Sequence, residues 1–416
     1  MTTNTPDNTQ DEIKQLSPKV QERLQNLLQE EYVSEENGEL VKEFILELGG
    51  NRDDQISDIR LKKYISQFNQ ILPHNDINLL EADIKGIIRI LNGVDSEDIS
   101  PTTMRDRRVA LNKFYRTMFP EMERPNRIWR ILNSDATDTT HPDKKDLKRH
   151  YDFILPDEVM KMSEAGKTKC RRDELLPLFF YLTGARLKEV QEVKIKHLTR
   201  GDSFYKISLL NQKNKNLPPR RNVYLTRLTH LMREWLEQHP RSDDPEAPLI
   251  CIRQKAYNTK TGEEVKDIGE QMSKKSISKV LEGLAEKAEI DKPVNPHAFR
   301  YSMATYYSNF TDLDIKEIAD KGGWGSLKQV RGYILDIGEI GDKRRKERQG
   351  IKTDLDSRFT VLDKQKCGNC GKVNGPTRDI CTCGHALSDR IAREEDEKEV
   401  VMVEKTHKGL TEAGLL

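Results

Sequence analysis

The sequence predicts a mainly α fold with a small antiparallel sheet. An all-α N-terminal domain precedes an α+β domain, and a cysteine-bearing tail follows. Three observations carry this. Apolar residues recur at three- and four-residue spacing almost throughout residues 13–130, the period of helices with one buried face. Only two runs, FYKISLL and RNVYLT, have the aromatic and β-branched character of strands, and the polar, basic NQKNKNLPPR joins them as a hairpin connection. Four of the six cysteines crowd into residues 367–383.

The elements follow in order. Residues 1–12 are expected to be a disordered polar lead. VQERLQNLLQEEYV and GELVKEFILELGG read as helices, the second ending on a Gly49–Gly50 cap. ISDIRLKKYISQFNQIL and NLLEADIKGIIRILNG repeat the pattern. SPTTMRDRRVALNKFYRTMF starts on a cap-like Ser100–Pro101 and lines Arg105, Arg107, Arg108 and Lys113 along one helix. Any one of these arginines is ordinarily just a solvated helix face. A linker is expected over 136–153, where periodicity fades and polar residues surround Pro142.

The second domain is expected over 154–350. LPDEVMKMSEAG opens a helix on Pro156. ELLPLFFYLTGARLKEVQEVKIKHL reads as an apolar helix, a Thr183–Gly184 turn and a second helix. Helices resume in SKKSISKVLEGLAEKAEI, NPHAFRYSMATYYSNF, DLDIKEIADKGGWG and SLKQVRGYIL, and GDKRRKERQG is strongly basic.

At 416 residues the chain is too long for one ordinary core. Its formal net charge is only +1, but residues 1–50 hold 4 basic against 11 acidic side chains and residues 151–350 hold 37 against 30. Basic character is therefore concentrated mid-chain, where a local patch can bind phosphate whatever the total. No run approaches the ~20 apolar residues that cross a bilayer, and the N-terminus lacks the pattern of a signal peptide. The expected location is the cytoplasm, with no membrane partner.

Metal-free cleavage of a phosphodiester needs fixed cations for the phosphoryl oxygens, a nucleophile, and a proton for the leaving oxygen. The second domain offers candidates in chain order. Arg186 follows a glycine turn. Lys213 and Lys215 sit in the hairpin connection. His297 and Arg300 share a helical face at i, i+3 spacing. Trp324 follows Gly322–Gly323, and Tyr333 lies nine residues on. Taken singly, each has a commoner reading: a surface ion pair for the H-x-x-R, a core plug for the tryptophan, half-buried packing for the tyrosines.

Order, spacing and flanking residues together resemble the tyrosine recombinase (phage integrase) family. TGARLKEVQEVKIKHL is similar to its first signature box, NPHAFRYSMATYYSNF to its second, and KGGWGSLKQVRGYI to its last, with the hairpin lysine between. The likeness spans about 154–335, and the helical region over 13–135 resembles the family's core-binding (SAM-like) domain. The resemblance implies that Arg186 and Arg300 clamp the scissile phosphate, His297 assists beside them, and Trp324 packs the site and donates its indole N–H. Lys213, with Lys215 as the alternative, serves as general acid, Glu189 orients a cation, and Tyr333 attacks to form a 3′-phosphotyrosyl link. Lys274 and the basic helix of the first domain join the DNA-binding surface. No catalytic metal and no nucleotide cofactor are implied. The implied partners are double-stranded DNA and a tetramer of the chain assembled on it, nucleoid-associated. Three departures stand out: Phe299 for the common Leu, Tyr301 where His is frequent, and Gly322 where Leu is usual.

The spacing of Cys367, Cys370, Cys381 and Cys383 suggests a structural Zn²⁺ site resembling a zinc ribbon over 351–388. The second pair is C-x-C, so His385 stands as an alternative to Cys383. A charged helical tail is expected over 389–416. The expected activity is site-specific DNA recombination for integration or excision of a mobile element. Nicking and closing in the manner of a type IB topoisomerase, and a non-catalytic zinc-ribbon DNA-binding regulator, are the alternatives.

Overall fold

The structure, a computed structural model, describes residues 15–50, 56–73, 78–80, 101–120, 153–211, 218–257, 264–311, 313–335, 337–355, 357–362, 365–374 and 378–399. The chain forms two compact units, Met1–Pro142 and Asp143–Leu416. The expected polar lead lies outside the described residues, as does the linker except for Phe153.

The first unit contains α1 (Pro18–Leu28), α2 (Glu35–Gly50), α3 (Asp58–Ile71) and α4 (Pro101–Met118). Each buries the apolar stripe its spacing predicts. Phe44 from α2, Phe68 from α3 and Phe114 from α4 meet edge-on, with centroids 5.3 to 5.8 Å apart, an arrangement that suits their ring quadrupoles. Helix α2 ends, where it is described, on the expected glycine pair. The helix runs through Gly49 and Gly50, with Gly49 buried against Leu16. Of NLLEADIKGIIRILNG only residues 78–80 are described; they form a turn in which the Leu79 N–H donates to the buried Asn37 Oδ1 at 2.9 Å.

The second unit begins with α5 (Pro156–Lys167) and α6 (Arg171–Thr183). Every residue of α6 from Arg172 to Thr183 is buried. That is why ELLPLFFYLT reads as a continuous apolar run and not as a stripe. Gly184 ends α6, and α7 (Leu187–Glu192) follows. The expected longer second helix stops there. Val193 turns extended, its carbonyl accepts from Leu249 N, and Ile195 N donates to Ala247 O, so this stretch pairs with 245–249 instead of with itself. It leads into β1 (Leu198–Arg200), which joins β2 (Tyr205–Leu210) and β3 (Arg220–Tyr224) in one antiparallel sheet. The register sets Ile207 opposite Val223 and Leu209 opposite Arg221.

Then come α8 (Thr229–Gln238), a small hairpin of β4 (Ala256–Tyr257) and β5 (Glu264–Lys266), α9 (Lys274–Lys287), α10 (Pro296–Phe310), α11 (Ile315–Gly322), α12 (Leu327–Arg331) and α13 (Glu339–Arg348). Helix α6 lies at the centre, packed by α5, α8, α9 and α10.

The tail closes back on this unit through α14 (Ser357–Thr360), the paired β6 (Gln365–Lys366) and β7 (Val373–Asn374), and a last helix, α15 (389–399). Helix α15 grips the sheet side by charge. Asp396 holds Lys206 Nζ at 2.6 Å and accepts from Tyr224 Oη at 3.0 Å, while Asp389 accepts from Thr226 Oγ1 at 3.1 Å and pairs with Lys321. The charged helix expected after the cysteines is thus docked where it is described, over 389–399.

Phe114→Ala is expected to cost the first unit about 3–5 kcal/mol, since it removes a ring that touches four others in a closed core. Urea unfolding followed by near-UV circular dichroism checks this; an unchanged midpoint would contradict the packing described.

Candidate active site and metal centre

The turn after α6 performs two tasks. Gly184 adopts φ +57°, a left-handed conformation that caps the helix and reverses the chain. A Cβ there would also meet Met303 Cε at 2.2 Å. Two residues later Arg186 caps α7 with an extended backbone and a side chain aimed by the turn. Meanwhile the Gly184 carbonyl accepts from Arg300 Nη1 at 2.5 Å. One turn therefore directs the first arginine and anchors the second.

Helix α10 delivers Arg300 and His297. Asn295 caps it by accepting from the N–H groups of His297 and Ala298, each at 3.0 Å, and Pro296 fits the first turn. His297 stands exposed beside that end, while Arg300, one turn on, is 2% exposed. The i, i+3 pairing holds, and the two side chains reach the same tyrosine. The Tyr333 ring centroid lies 5.5 Å from that of His297 and 5.4 Å from Arg300 Cζ.

Gly323 caps α11 at φ +64°, and a Cβ there would meet Asn211 Oδ1 at 2.7 Å and Arg221 Nη1 at 2.9 Å. The indole of Trp324 folds back over Gly322, which explains glycine where leucine is usual. Trp324 is buried, and Arg300 Cζ sits 3.8 Å from its ring centroid, a close cation–π contact. Tyr333 is held in the turn just after α12, and not within a helix as its neighbours suggested. Its N–H donates to Val330 O at 2.8 Å, and Leu335 N donates to Thr305 Oγ1 of α10 at 2.9 Å. Its ring stacks on Tyr301 at 4.6 Å and tilts against Trp324 at 5.0 Å. Tyr301, noted only as a departure from the pattern, is the platform for this ring.

Glu189 is fully buried and bridges cations. Its carboxylate accepts from Arg186 N at 2.9 Å, Arg186 Nη1 at 2.6 Å and Arg221 Nη2 at 2.8 Å. Burial pushes its pKa up, but Arg221 and Arg186 outweigh that and hold it below the usual carboxylate range. Arg186 Nη2 also donates to Gly323 O at 3.3 Å. Arg186 and Arg300 thus converge on the Gly323–Trp324 corner. Arg300 makes no salt bridge among the described residues, and its Nε and Nη2, with Trp324 Nε1, are buried donors with no acceptor. Burial, and then repulsion from Arg186, push the Arg300 pKa down to about 9. Two guanidiniums on one carboxylate, a third guanidinium with no carboxylate partner and three unsatisfied donors make a site suited to an anion.

Arg221 was missed in the sequence. The signal was the two-residue alternation of RNVY, which puts Arg221 on the buried face with Val223. Lys213 and Lys215 lie outside the described residues. The strand ends beside them are joined by Asn211 N to Pro219 O at 2.7 Å and Asn211 Nδ2 to Pro218 O at 2.8 Å. On α4, Arg105 is exposed, Arg108 and Lys113 are half-buried, and Arg107 is buried with Nη2 on Gln70 Oε1 at 3.4 Å. The expectation of an outward-facing Arg107 is corrected: it is turned into its own bundle. Lys274 is exposed at the first position of α9.

In the tail, the sulfurs of Cys367, Cys370, Cys381 and Cys383 all lie within 4.8 Å of one another, a group that can hold a metal ion. Two knuckles form it. Gly371 N donates to Cys367 O and Gly384 N to Cys381 O, and Cys367 N and Cys381 N reach across to Lys372 O and His385 O. His385 is outside the group, so the short C-x-C pair supplies both its cysteines. The Cys383 N–H draws the Cys381 thiol down to about 6, while burial pushes that of Cys367 up to about 12. Among the described residues no helix is long and apolar enough to cross a membrane.

Comparison with known proteins locates these features. Residues 152–336 match the phage integrase family. The tyrosine recombinase XerC of Pelotomaculum thermopropionicum is 22% identical over 280 residues, covering 66% of this chain and 84% of the relative. The tyrosine recombinase XerA of Pyrococcus furiosus is 26% identical over 202 residues, covering 49% of this chain and 63% of the relative. A solved lambda integrase dimer bound to a COC′ core site superposes with a TM-score of 0.50 at 15% identity, covering 72% of this chain and 95% of that one; the likeness is one of fold.

Phosphate or sulfate is expected to stabilise the native chain by filling the anion site, by about 2.7 kcal/mol at a hundredfold excess over its Kd, and so to raise its melting temperature. Arg300→Met is expected to abolish that rise while itself unfolding at an equal or higher temperature, because it removes a buried charge that has no carboxylate partner. Scanning fluorimetry across anion concentrations checks both; an equal anion response in the mutant would contradict the assignment.

Proposed function

Because the chain belongs to the phage integrase family of tyrosine recombinases, we propose that it breaks and rejoins duplex DNA at defined sites through Tyr333. One observation carries the reading. Buried donors of Arg300 and Trp324 lack acceptors beside a half-buried phenol, as a site for an incoming phosphate requires.

The Tyr333 oxygen attacks the scissile phosphorus while the bond to the 5′ oxygen breaks. The phenol proton passes to His297. The leaving oxygen receives its proton from Lys213, with Lys215 the alternative. Arg186 and Arg300 hold the non-bridging oxygens as charge builds on them, and the Trp324 indole N–H adds a third donor. Glu189 fixes Arg186, and Tyr301 supports the attacking ring. The 3′-phosphotyrosyl link conserves the bond energy, so a 5′ hydroxyl from a second strand reverses the step and completes the exchange. These residues need no nucleotide cofactor for it.

Exchange between two duplexes implies a tetramer on DNA. The lambda integrase dimer on its core site supports a DNA partner for this fold. Arg105, Arg108, Lys113 and Lys274 are assigned to the phosphate-facing surface, whose affinity falls with salt as counterions are released. The reading places the chain on DNA in the cytoplasm, serving integration or excision of a mobile element. The domain assignment follows: residues 13–135 bind the core of the target, 154–350 carry the chemistry, and 351–388 form a zinc ribbon. The metal is assigned as Zn²⁺ because four thiolates in one compact group suit it, with no position left for chemistry.

Tyr333→Phe is expected to bind target DNA like the native chain but to form no covalent adduct with a nicked suicide substrate on a denaturing gel. Arg186→Met or Arg300→Met is expected to slow adduct formation by about 10²–10³-fold. An adduct in Tyr333→Phe overturns the assignment. Site-independent relaxation of supercoils favours the nicking-closing alternative, and no adduct on any DNA favours the regulator.

One zinc per chain is expected by elemental analysis, falling in Cys383→Ser and unaffected in His385→Ala. A metal-free native chain contradicts the site.

A further inference from the structure

Arg221 stands at a junction that the proposed chemistry leaves unused. It is 8% exposed and sends its three nitrogens in three directions. Nη2 donates to Glu189 Oε2 at 2.8 Å, Nη1 to Asn211 Oδ1 at 3.2 Å and Nε to Lys321 O at 3.0 Å. These acceptors belong to α7, to the end of β2 and to the last turn of α11. Each adjoins part of the anion site. Glu189 holds Arg186, and Lys321 precedes the Gly323–Trp324 corner that receives both Arg186 and Arg300.

Charge makes the point sharper. Glu189 is fully buried and accepts from Arg186 and Arg221. If Arg221 were absent, the buried carboxylate would have Arg186 as its one close counter-charge. The pair would neutralise itself, and Arg186 would no longer offer its charge to an anion. With Arg221 present, Glu189 is already balanced, so it orients Arg186 without consuming its charge. A lysine cannot substitute, because a single ammonium on a flexible stem does not span three acceptors set at the corners of a planar fork.

We propose that Arg221 is a positioning residue for the phosphate clamp: it balances Glu189 so that Arg186 stays available to the phosphate, and it ties α7 to the Gly323–Trp324 corner. The inference rests on the reading of the site as a DNA phosphate clamp. Its chemistry is nevertheless separate from that of the nucleophile, since Arg221 itself touches no substrate.

The test uses the full chain and a suicide DNA substrate in single turnover. Arg221→Met and Arg221→Lys are both expected to slow adduct formation by about 10²-fold, with little change in DNA affinity. Two readouts separate positioning from mere loss of structure. On a substrate whose scissile phosphate is a methylphosphonate, the reaction carries one negative charge fewer and leans less on Arg186, so the deficit is expected to shrink. In Arg221→Met with Glu189→Gln, the unbalanced carboxylate is gone, and part of the rate is expected to return. A deficit of equal size on both substrates, with no recovery in the double variant, overturns the proposal. So does a native rate in Arg221→Lys.

A native chain that forms no adduct at all refutes the reading of the site, not this inference. A crystal structure of Arg221→Met then decides it alone. Arg186 is expected to leave the Gly323 carbonyl and close onto Glu189, and an unmoved Arg186 overturns the proposal.

Discussion

The catalytic unit is organised around a buried cation with no carboxylate of its own. Arg300 is almost fully enclosed, fixed by the Gly184 carbonyl on one nitrogen and by the Trp324 indole on its face. Its other donors are left open. A protein folded for stability alone would pair such a group or replace it with an apolar one, because an uncompensated buried charge is costly. On the proposed reading, the chain retains it for an anion that arrives from outside. The surrounding arrangement holds this charge in place: the left-handed turn at Gly184, the glycine pair before Trp324, and the Glu189 bridge that orients Arg186.

The elements that build the site are far apart in sequence, so the fold has to supply what local structure does not. Helix α6 is buried on all sides and serves as the axis. Helix α10 packs along it and carries Arg300 inward, while the turn at the end of α6 carries Arg186. The corner after α11 brings Trp324, and the segment after α12 returns Tyr333 onto Tyr301. Even the tail reaches this assembly. Asp389 of α15 pairs with Lys321, and the Lys321 carbonyl accepts from Arg221. A run of hydrogen bonds and ion pairs thus connects the helix beyond the cysteine group to the Arg221 guanidinium.

Much of this was legible in the sequence because it is local. Helical spacing in the first unit, Pro296 at a helix start, the strands on either side of a basic connection, and the cysteine pairs are all consequences of neighbours in the chain. The residues proposed for the clamp were picked out by their order and spacing against a known pattern, and the structure gathers Arg186, Arg300, Trp324 and Tyr333 at one corner. What escaped depends on contacts across the fold. Arg221 looks like one basic residue in a basic stretch until the strand register turns it inward. Tyr301 looks like a departure until its ring is found under Tyr333. Arg107 looks like part of a basic helix face until α4 is docked and buries it. The second helix after Gly184 reads as long, yet pairing with residues 245–249 ends it at Glu192.

The most direct measurement is the position of a phosphate mimic. Crystals of the native chain soaked in tungstate give anomalous scattering that locates the anion without reliance on activity. The account predicts a peak in contact with Arg300 Nη2 and the Arg186 guanidinium, within reach of the Tyr333 hydroxyl. A peak bound elsewhere, with the Arg300 donors satisfied by a protein carboxylate, would contradict it.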